Sequence, residues 1–191
     1  MSPQPWLVII GGPNGAGKTT FARVAASRLS LRYAAADLIA DELGLGREGA
    51  DAVRAGRLFT ARVRVAVSHG ESLLVESTLS GLVTRRLIRR ARASGYRVSV
   101  GFVYVDSVAA CIRRIRARVQ RGGHPVPDDD VRRRFRRSLV NFWERYRFDA
   151  DAWHLTYNGG EDAVRVAFGS GSRAVVIDSP NFERFLGLVE G

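Results

Sequence analysis

Lys18 is the only lysine in a chain of 191 residues; every other one of its thirty basic positions is arginine. It sits in Gly12-Pro13-Asn14-Gly15-Ala16-Gly17-Lys18-Thr19, which matches G-x-x-x-x-G-K-[ST], the phosphate-cradling P-loop pattern. The pattern needs a slim ammonium on a flexible stem that reaches the β- and γ-phosphates, a task a planar guanidinium does not share. It also constrains the fold, because the loop must join a strand to a helix. Trp6-Leu7-Val8-Ile9-Ile10 is an apolar run suited to a buried strand. Residues 20–29 follow at helical spacing, with Phe21, Val24, Ala25 and Leu29 on one side. That order aims backbone N–H groups and a helix N-terminus at a polyphosphate. Within the motif Thr19 and Thr20 follow the lysine, and Thr19 is placed to offer its hydroxyl to Mg²⁺.

The length suits one domain over residues 1–191, with a sizeable core. No stretch approaches a transmembrane span, and the first residues lack the pattern of a secretory leader. A lone cysteine, Cys111, excludes an internal disulfide framework and fits a reducing cytoplasm; its apolar neighbours favour core packing. The formal charge of +11 asks for an anionic partner, and nucleic acid is the obvious one. Yet the arginines concentrate in residues 85–97 and 113–137 with few aromatic residues among them, whereas a base-stacking platform interleaves the two. Nucleotide phosphates and neutral compositional bias account for the charge better than DNA or RNA does.

Strand candidates recur at residues 7–10, 73–75, 98–105, 164–168 and 174–177. Helical stretches at 54–68, 82–93, 108–119 and 130–145 separate them. This alternation predicts an α/β fold: a parallel, P-loop NTPase-like sheet with helices on both faces. Ligands then bind beyond the carboxyl ends of the strands, where Asp37, Glu76 and Asp106 fall. Asp37 is either a functional carboxylate or the N-cap of the helix that follows it. Glu76 opens Glu76-Ser77-Thr78-Leu79-Ser80-Gly81, a polar pocket wall at the tip of a buried strand. Asp106 suits the cap of a helix starting at Ser107 better than a water-mediated hold on Mg²⁺.

Arg114, Arg118 and Arg121 recur at three to four residues on one helical face. Gly122-Gly123-His124-Pro125-Val126-Pro127 then breaks the helix, and Asp128-Asp129-Asp130 starts the next with acid at its positive end. A hinged, arginine-studded flap over about residues 114–137 suits phosphoryl transfer, since closure excludes water and guanidinium groups neutralise the migrating charge. The competing description is a solvated basic hairpin. His124 fits a lid contact, and three scattered histidines with one cysteine make no zinc site.

Taken together, these residues resemble the zeta-toxin family of P-loop kinases, in its short single-domain form. The match runs through residues 11–20, then Ala36-Asp37-Leu38-Ile39-Ala40, then residues 76–81 and Gly95-Tyr96-Arg97-Val98. Its most specific piece is Arg114…Arg118…Gly122-Gly123-His124-Pro125-Val126-Pro127…Arg133-Arg134-Phe135…Ser138-Leu139…Asn141. The resemblance implies an ATP·Mg²⁺-dependent kinase that phosphorylates a hydroxyl of a nucleotide sugar such as UDP-N-acetylglucosamine. It further implies a toxin paired with a separate antitoxin. By motif match Asp37 is the base, Glu76 and Thr78 orient the acceptor with Arg133 and Arg134 nearby, and Arg118 with Arg114 reaches the phosphates. Near the end the family often carries Tyr-Asp-Asn-Ser, where this chain has Thr156-Tyr157-Asn158-Gly159. Tyr157 replaces the acid on the adenine side, while Asn158 remains as a nucleotide contact. Two other readings stay open: a phosphotransferase acting on a nucleoside, an antibiotic or another sugar, and a nucleotide-dependent nucleic-acid-binding module.

Overall fold

The computed structural model describes residues 4–46 and 49–191. Strand β1 (Trp6–Gly11) is the apolar run that precedes the P-loop, and helix α1 (Lys18–Arg28) follows the loop directly. Then come β2 (Arg32–Ala34), α2 (Ala36–Glu42), α3 (Gly49–Ser68), β3 (Leu73–Ser77), α4 (Val83–Ala93) and β4 (Arg97–Tyr104). The second half comprises α5 (Val108–Val119), α6 (Asp128–Asn141), a π-helical turn (Phe142–Tyr146), α7 (Arg147–Asp149) and β5 (Ala152–Tyr157). A hairpin of β6 (Val164–Ser170) and β7 (Arg173–Val176) and the helix α8 (Ser179–Glu190) complete it.

The strands form one sheet in the order β2-β3-β1-β4-β5-β6-β7. Pairing is parallel from β2 through β5 and antiparallel across β5-β6 and β6-β7. The expected parallel sheet is therefore mixed. The connections into β6 and β7 are too short for the crossover a parallel neighbour requires, so these strands fold back as hairpins. Successive residues Leu73, Leu74 and Val75 are all buried, as are Leu7, Ile9 and Ile10. Neighbouring residues on a strand point to opposite faces, so both faces of the central sheet are covered.

Three expectations change. Strand β5 carries mixed residues (Ala-Trp-His-Leu-Thr-Tyr) that hide it in the sequence, yet Trp153 and Leu155 are fully buried beside β4. Of the expected stripe, Phe21 and Ala25 pack against the core beside the buried Ala22 and Ala26, whereas Val24 of α1 and Leu29, which caps its end, are 48% and 55% exposed. The helix expected over 130–145 divides, because the π-helical turn takes over at Phe142.

An aromatic cluster locks the last helix to this framework. Phe102 stacks on Phe142 with ring centroids 4.4 Å apart, and Phe185 of α8 meets Phe102, Phe142 and Tyr104 edge-on. Each such pair adds about 0.5–1.5 kcal/mol beyond the area it buries. Cys111 is fully buried in the same core, and no helix among the described residues is long and apolar enough to cross a membrane.

Candidate active site

The P-loop leaves β1 at its carboxyl end and needs glycine for steric reasons. Gly12 has φ 141°, and a Cβ there would collide with the Val103 carbonyl of β4. Gly17 has φ 94° immediately before α1, and a Cβ there would strike the Asn158 amide. That amide donates to the Ala16 carbonyl at 2.8 Å, so the end of β5 holds the loop from the side. Helix α1 has no acidic residue in its first turn and no side-chain cap, which leaves its N-terminal N–H groups and positive dipole end for an anion.

Lys18 is buried and donates to the Pro13 carbonyl at 2.9 Å. Burial pushes its ammonium below the ordinary value, while the Glu76 carboxylate 3.9 Å away opposes the shift. Glu76 stands on β3 beside Ile10 of β1. Both of its carboxylate oxygens are engaged: Oε1 accepts from the Thr19 hydroxyl at 3.1 Å, and Oε2 from the Tyr33 hydroxyl at 2.6 Å. Burial, followed by this bond to Glu76, raises the Tyr33 phenol far above its usual range, so it remains a donor. Tyr33 is a site residue that sequence reasoning missed, since it lies on a three-residue strand with little pattern to mark it.

Two cavities meet at this point. The larger, about 1100 Å³, runs along the P-loop and the α5–α6 connection; the second, about 680 Å³, extends between α3 and the loop after β3. Asn14, Lys18, Asp37, Glu76 and Arg134 line both. Asn14 Oδ1 is buried with no hydrogen-bond partner among the described residues. Asp37 lies in the first turn of α2, where Ala35 occupies the cap position, so it does not cap this helix. Its charge bears on Lys18 together with that of Glu76.

Gly15, Gly17, Thr19, Thr20, Arg114, Arg118 and Asn158 line the larger cavity, and Thr78 the second. Arg118 donates to the His124 carbonyl at 2.6 Å, which ties α5 to the Gly-Gly-His turn. Gly123 lies flush against Arg118, and a Cβ there would come within 2.5 Å of its Cγ. Arg133 lines neither cavity; it is exposed and bonded to Asp130. Adjacent helix residues diverge by about 100°, so Arg133 and Arg134 do not share a face. Asp106 does not cap α5 either: Ser107 does, accepting from the Ala110 N–H at 3.2 Å. Asp106 instead accepts from the Tyr157 hydroxyl at 2.9 Å and pairs with Arg184 of α8 at 3.4 Å.

The loop after β3 is held by side chains from far along the chain. Ser138 Oγ donates to the Thr78 carbonyl at 2.6 Å, Asn141 Nδ2 to the Leu79 carbonyl at 2.9 Å, and Tyr146 OH to the Gly81 carbonyl at 2.5 Å. Leu79 takes φ 56°, a left-handed backbone for a bulky residue, within this clamped stretch. The π-helical turn rotates Tyr146 onto the same side as Ser138 and Asn141. Ser138 and Asn141 were visible as motif members, and their geometric role is to hold the Glu-Ser-Thr segment.

The profile of a family described as AAA domain (AAA_33) matches residues 7–140. An uncharacterized protein of Haemophilus influenzae is 27% identical over 124 residues, which is 65% of this chain and 88% of that protein. Among solved structures, the AvrRxo1-ORF1:-ORF2 complex with ATP superposes with a TM-score of 0.72 at 18% identity, covering 96% of this chain and 64% of the other. This chain thus spans somewhat under two thirds of that protein's length. The PezAT chromosomal toxin–antitoxin system of Streptococcus pneumoniae gives a TM-score of 0.60 at 19% identity, covering 85% of this chain and 71% of the other. At such identities the likeness is one of fold, and the fold is that of a P-loop kinase.

Proposed function

The chain belongs to the AAA_33 family of AAA domains, and from that premise we propose that it is an ATP-dependent small-molecule kinase. It transfers the γ-phosphate to a hydroxyl of a nucleotide sugar, with UDP-N-acetylglucosamine the leading acceptor. One observation carries the reading: Lys18, Asp37 and Glu76 stand where a P-loop cavity and a second cavity meet. A two-substrate phosphotransferase needs a donor chamber and an acceptor chamber with the reacting atoms at their junction.

In this reading ATP lies along the P-loop with its phosphates against the α1 N-terminus and Lys18. Asp37 takes the acceptor hydroxyl's proton, and a loose transition state asks of it mainly correct placement. Arg118 and Arg114 neutralise charge on the transferred group from the α5–α6 connection, the segment proposed as a lid over residues 114–137. Thr19 Oγ1 and Glu76 Oε1 are adjacent oxygen donors, a set that suits Mg²⁺, a hard cation. Thr19 would hold the ion directly, with Glu76 beside it, and when bound it would neutralise the β- and γ-phosphates. Glu76 is then shared between the nucleotide side and the acceptor side, which extends its expected role.

The AvrRxo1 and PezAT proteins occur as complexes or paired systems. That supports a second protein, an antitoxin, as a partner of this chain and a toxic role for its kinase activity. The test is incubation with ATP, Mg²⁺ and UDP-N-acetylglucosamine or a pooled metabolite extract, followed by mass spectrometry for a product heavier by one HPO₃. Lys18→Ala and Asp37→Ala should each abolish transfer while the chain stays folded. Full transfer by Asp37→Ala would remove that residue as the base. Transfer only to a nucleoside, an antibiotic or a different sugar would keep the chemistry and change the acceptor. Salt-steep binding of DNA or RNA, indifferent to Asp37→Ala, would favour the nucleic-acid-binding alternative.

A further inference from the structure

The two edges of the sheet differ. At one, β2 has only three residues, and its Arg32 is tied to Glu71 at 3.1 Å. At the other, β7 ends the strand order and all four of its residues are exposed. Val175, Val176 and the following Ile177 are 53%, 40% and 54% exposed, although Val166 and Ala167 on the neighbouring β6 are fully buried. Free edges are commonly blunted by lysine, proline or a bulge. Residues 174–177 (Ala-Val-Val-Ile) contain neither residue, and β7 keeps unbroken register with β6 from Arg173 to Val176. The ladder runs on through Ile177, whose N–H donates inward to the Val166 carbonyl at 2.8 Å. Alternation along an antiparallel ladder then turns the N–H and C=O groups of Ala174 and Val176 away from β6, toward solvent.

We infer that the β7 edge pairs with the β7 edge of a second copy of this chain, antiparallel about a two-fold axis. Outward-facing residues must meet outward-facing residues, so Ala174 bonds Val176 of the second copy and Val176 bonds its Ala174. Val175 then faces Val175 across the axis in a non-hydrogen-bonded pair, with Cα atoms about 4.5 Å apart. A slip of two residues would bring in Ser172 of the turn or Asp178, whose N–H is already bonded to Val166. Charge agrees with this register. Arg173 heads the strand and Asp178 follows it, so each Arg173 lies at the Ile177–Asp178 end of the other copy. The two Arg173 residues stand about 14 Å apart along the strands, more than a Debye length. The surroundings agree too: residues 161–190 hold five carboxylate residues and three arginines, in a chain whose overall charge is +11. The repulsion between two basic copies is therefore weakest at this edge. So short a ladder covers less than the roughly 1,200 Å² of a stable assembly, which makes the pair a weak, concentration-dependent one. The pairing is independent of which alcohol the active site phosphorylates.

The test uses the full chain. Sedimentation velocity from about 10 µM to about 1 mM, the range of weak pairs, should show a monomer–dimer equilibrium. Introduced cysteines read the register, since the native Cys111 is fully buried and stays silent. Val175→Cys should cross-link to a dimer on mild oxidation, because its facing Cα atoms fall within disulfide reach. Val176→Cys should not, because its counterpart is displaced by two residues to about 8 Å or more. Val175→Lys and Val175→Glu should each weaken self-association by about fivefold or more, as like charges meet across the axis. An equimolar mixture of those two variants should restore the pair. Both positions are exposed, and unchanged melting temperatures exclude a folding defect. A monomer at every concentration overturns the pairing. So does equal cross-linking through positions 175 and 176, or a dimer that Val175→Lys leaves untouched. Capture of an unrelated extended peptide by β7, with no self-association, overturns the second copy as the occupant.

Discussion

The Tyr33 hydroxyl donates to Glu76 Oε2 at 2.6 Å while the Thr19 hydroxyl donates to Oε1 of the same carboxylate at 3.1 Å. A short strand at the sheet edge thereby sets the direction of a charged group beside the P-loop lysine. Without Tyr33 one carboxylate oxygen is released and Glu76 gains rotational freedom. Tyr33→Phe should lower the transfer rate by about tenfold, the scale of a hydrogen bond to a charged group. The KM for ATP should stay within about twofold, because the P-loop itself is untouched. Steady-state kinetics with varied ATP check this, and an unaltered turnover would leave Tyr33 a packing residue only.

Gly12 is the position where the P-loop tolerates least. Its φ of 141° and the closeness of the Val103 carbonyl leave no room for a methyl group. Gly12→Ala should lower the melting temperature by roughly 2–10 °C, as expected from about 1–3 kcal/mol of backbone strain. ATP binding measured by calorimetry should be lost at the same time. A variant that melts lower yet binds ATP normally would separate the strain from the nucleotide cradle.

Asn141 reaches the Leu79 carbonyl from the end of α6, and both residues are buried. Asn141→Ala leaves that carbonyl without its donor and should cost about 1–3 kcal/mol in a urea titration. Since the same stretch carries Thr78, the KM for the acceptor should rise more than the KM for ATP. An equal rise in both would mean that the clamp acts on the whole site.

Cys111 supplies a pH dependence. Burial raises its thiol from an ordinary 9.0 to about 11. The native state therefore holds the thiol proton more tightly than the unfolded chain does. This contribution to stability is complete below pH 9.0 and is lost as pH rises through about 11. Cys111→Ala should flatten that part of the stability profile. Alkylation by iodoacetamide at pH 8 should be negligible in the native chain and rapid in urea.

Some of this was legible from residues alone, because it depends on neighbours along the chain. Gly-rich loop, lysine and preceding apolar strand are contiguous, and their backbone needs are met within a few residues. The recurrence of Arg114 and Arg118 likewise marked one face of α5, since helical periodicity is a local property, but α5 ends at Val119 and Arg121 reaches the same cavity from the turn beyond it. Other residues misled for the same reason. Val24 and Leu29 have the spacing of a buried stripe, yet both are exposed, while Phe21, Ala22, Ala25 and Ala26 pack against the core. Asp37 and Asp106 stand where caps are common, yet Ala35 and Ser107 occupy those positions.

By itself the sequence determined where phosphate can be cradled and that strands alternate with helices, since both follow from short-range geometry and hydrophobic period. Only the tertiary structure decided what Glu76 touches, which of Arg133 and Arg134 faces the cavities, and that β6 and β7 turn back antiparallel. It also decided that Ser138, Asn141 and Tyr146 hold the loop after β3, and that Asn158 closes on Ala16 across 142 residues. These contacts join segments 43 to 142 residues apart. Such pairings come from the packing of whole elements, and no local periodicity encodes them.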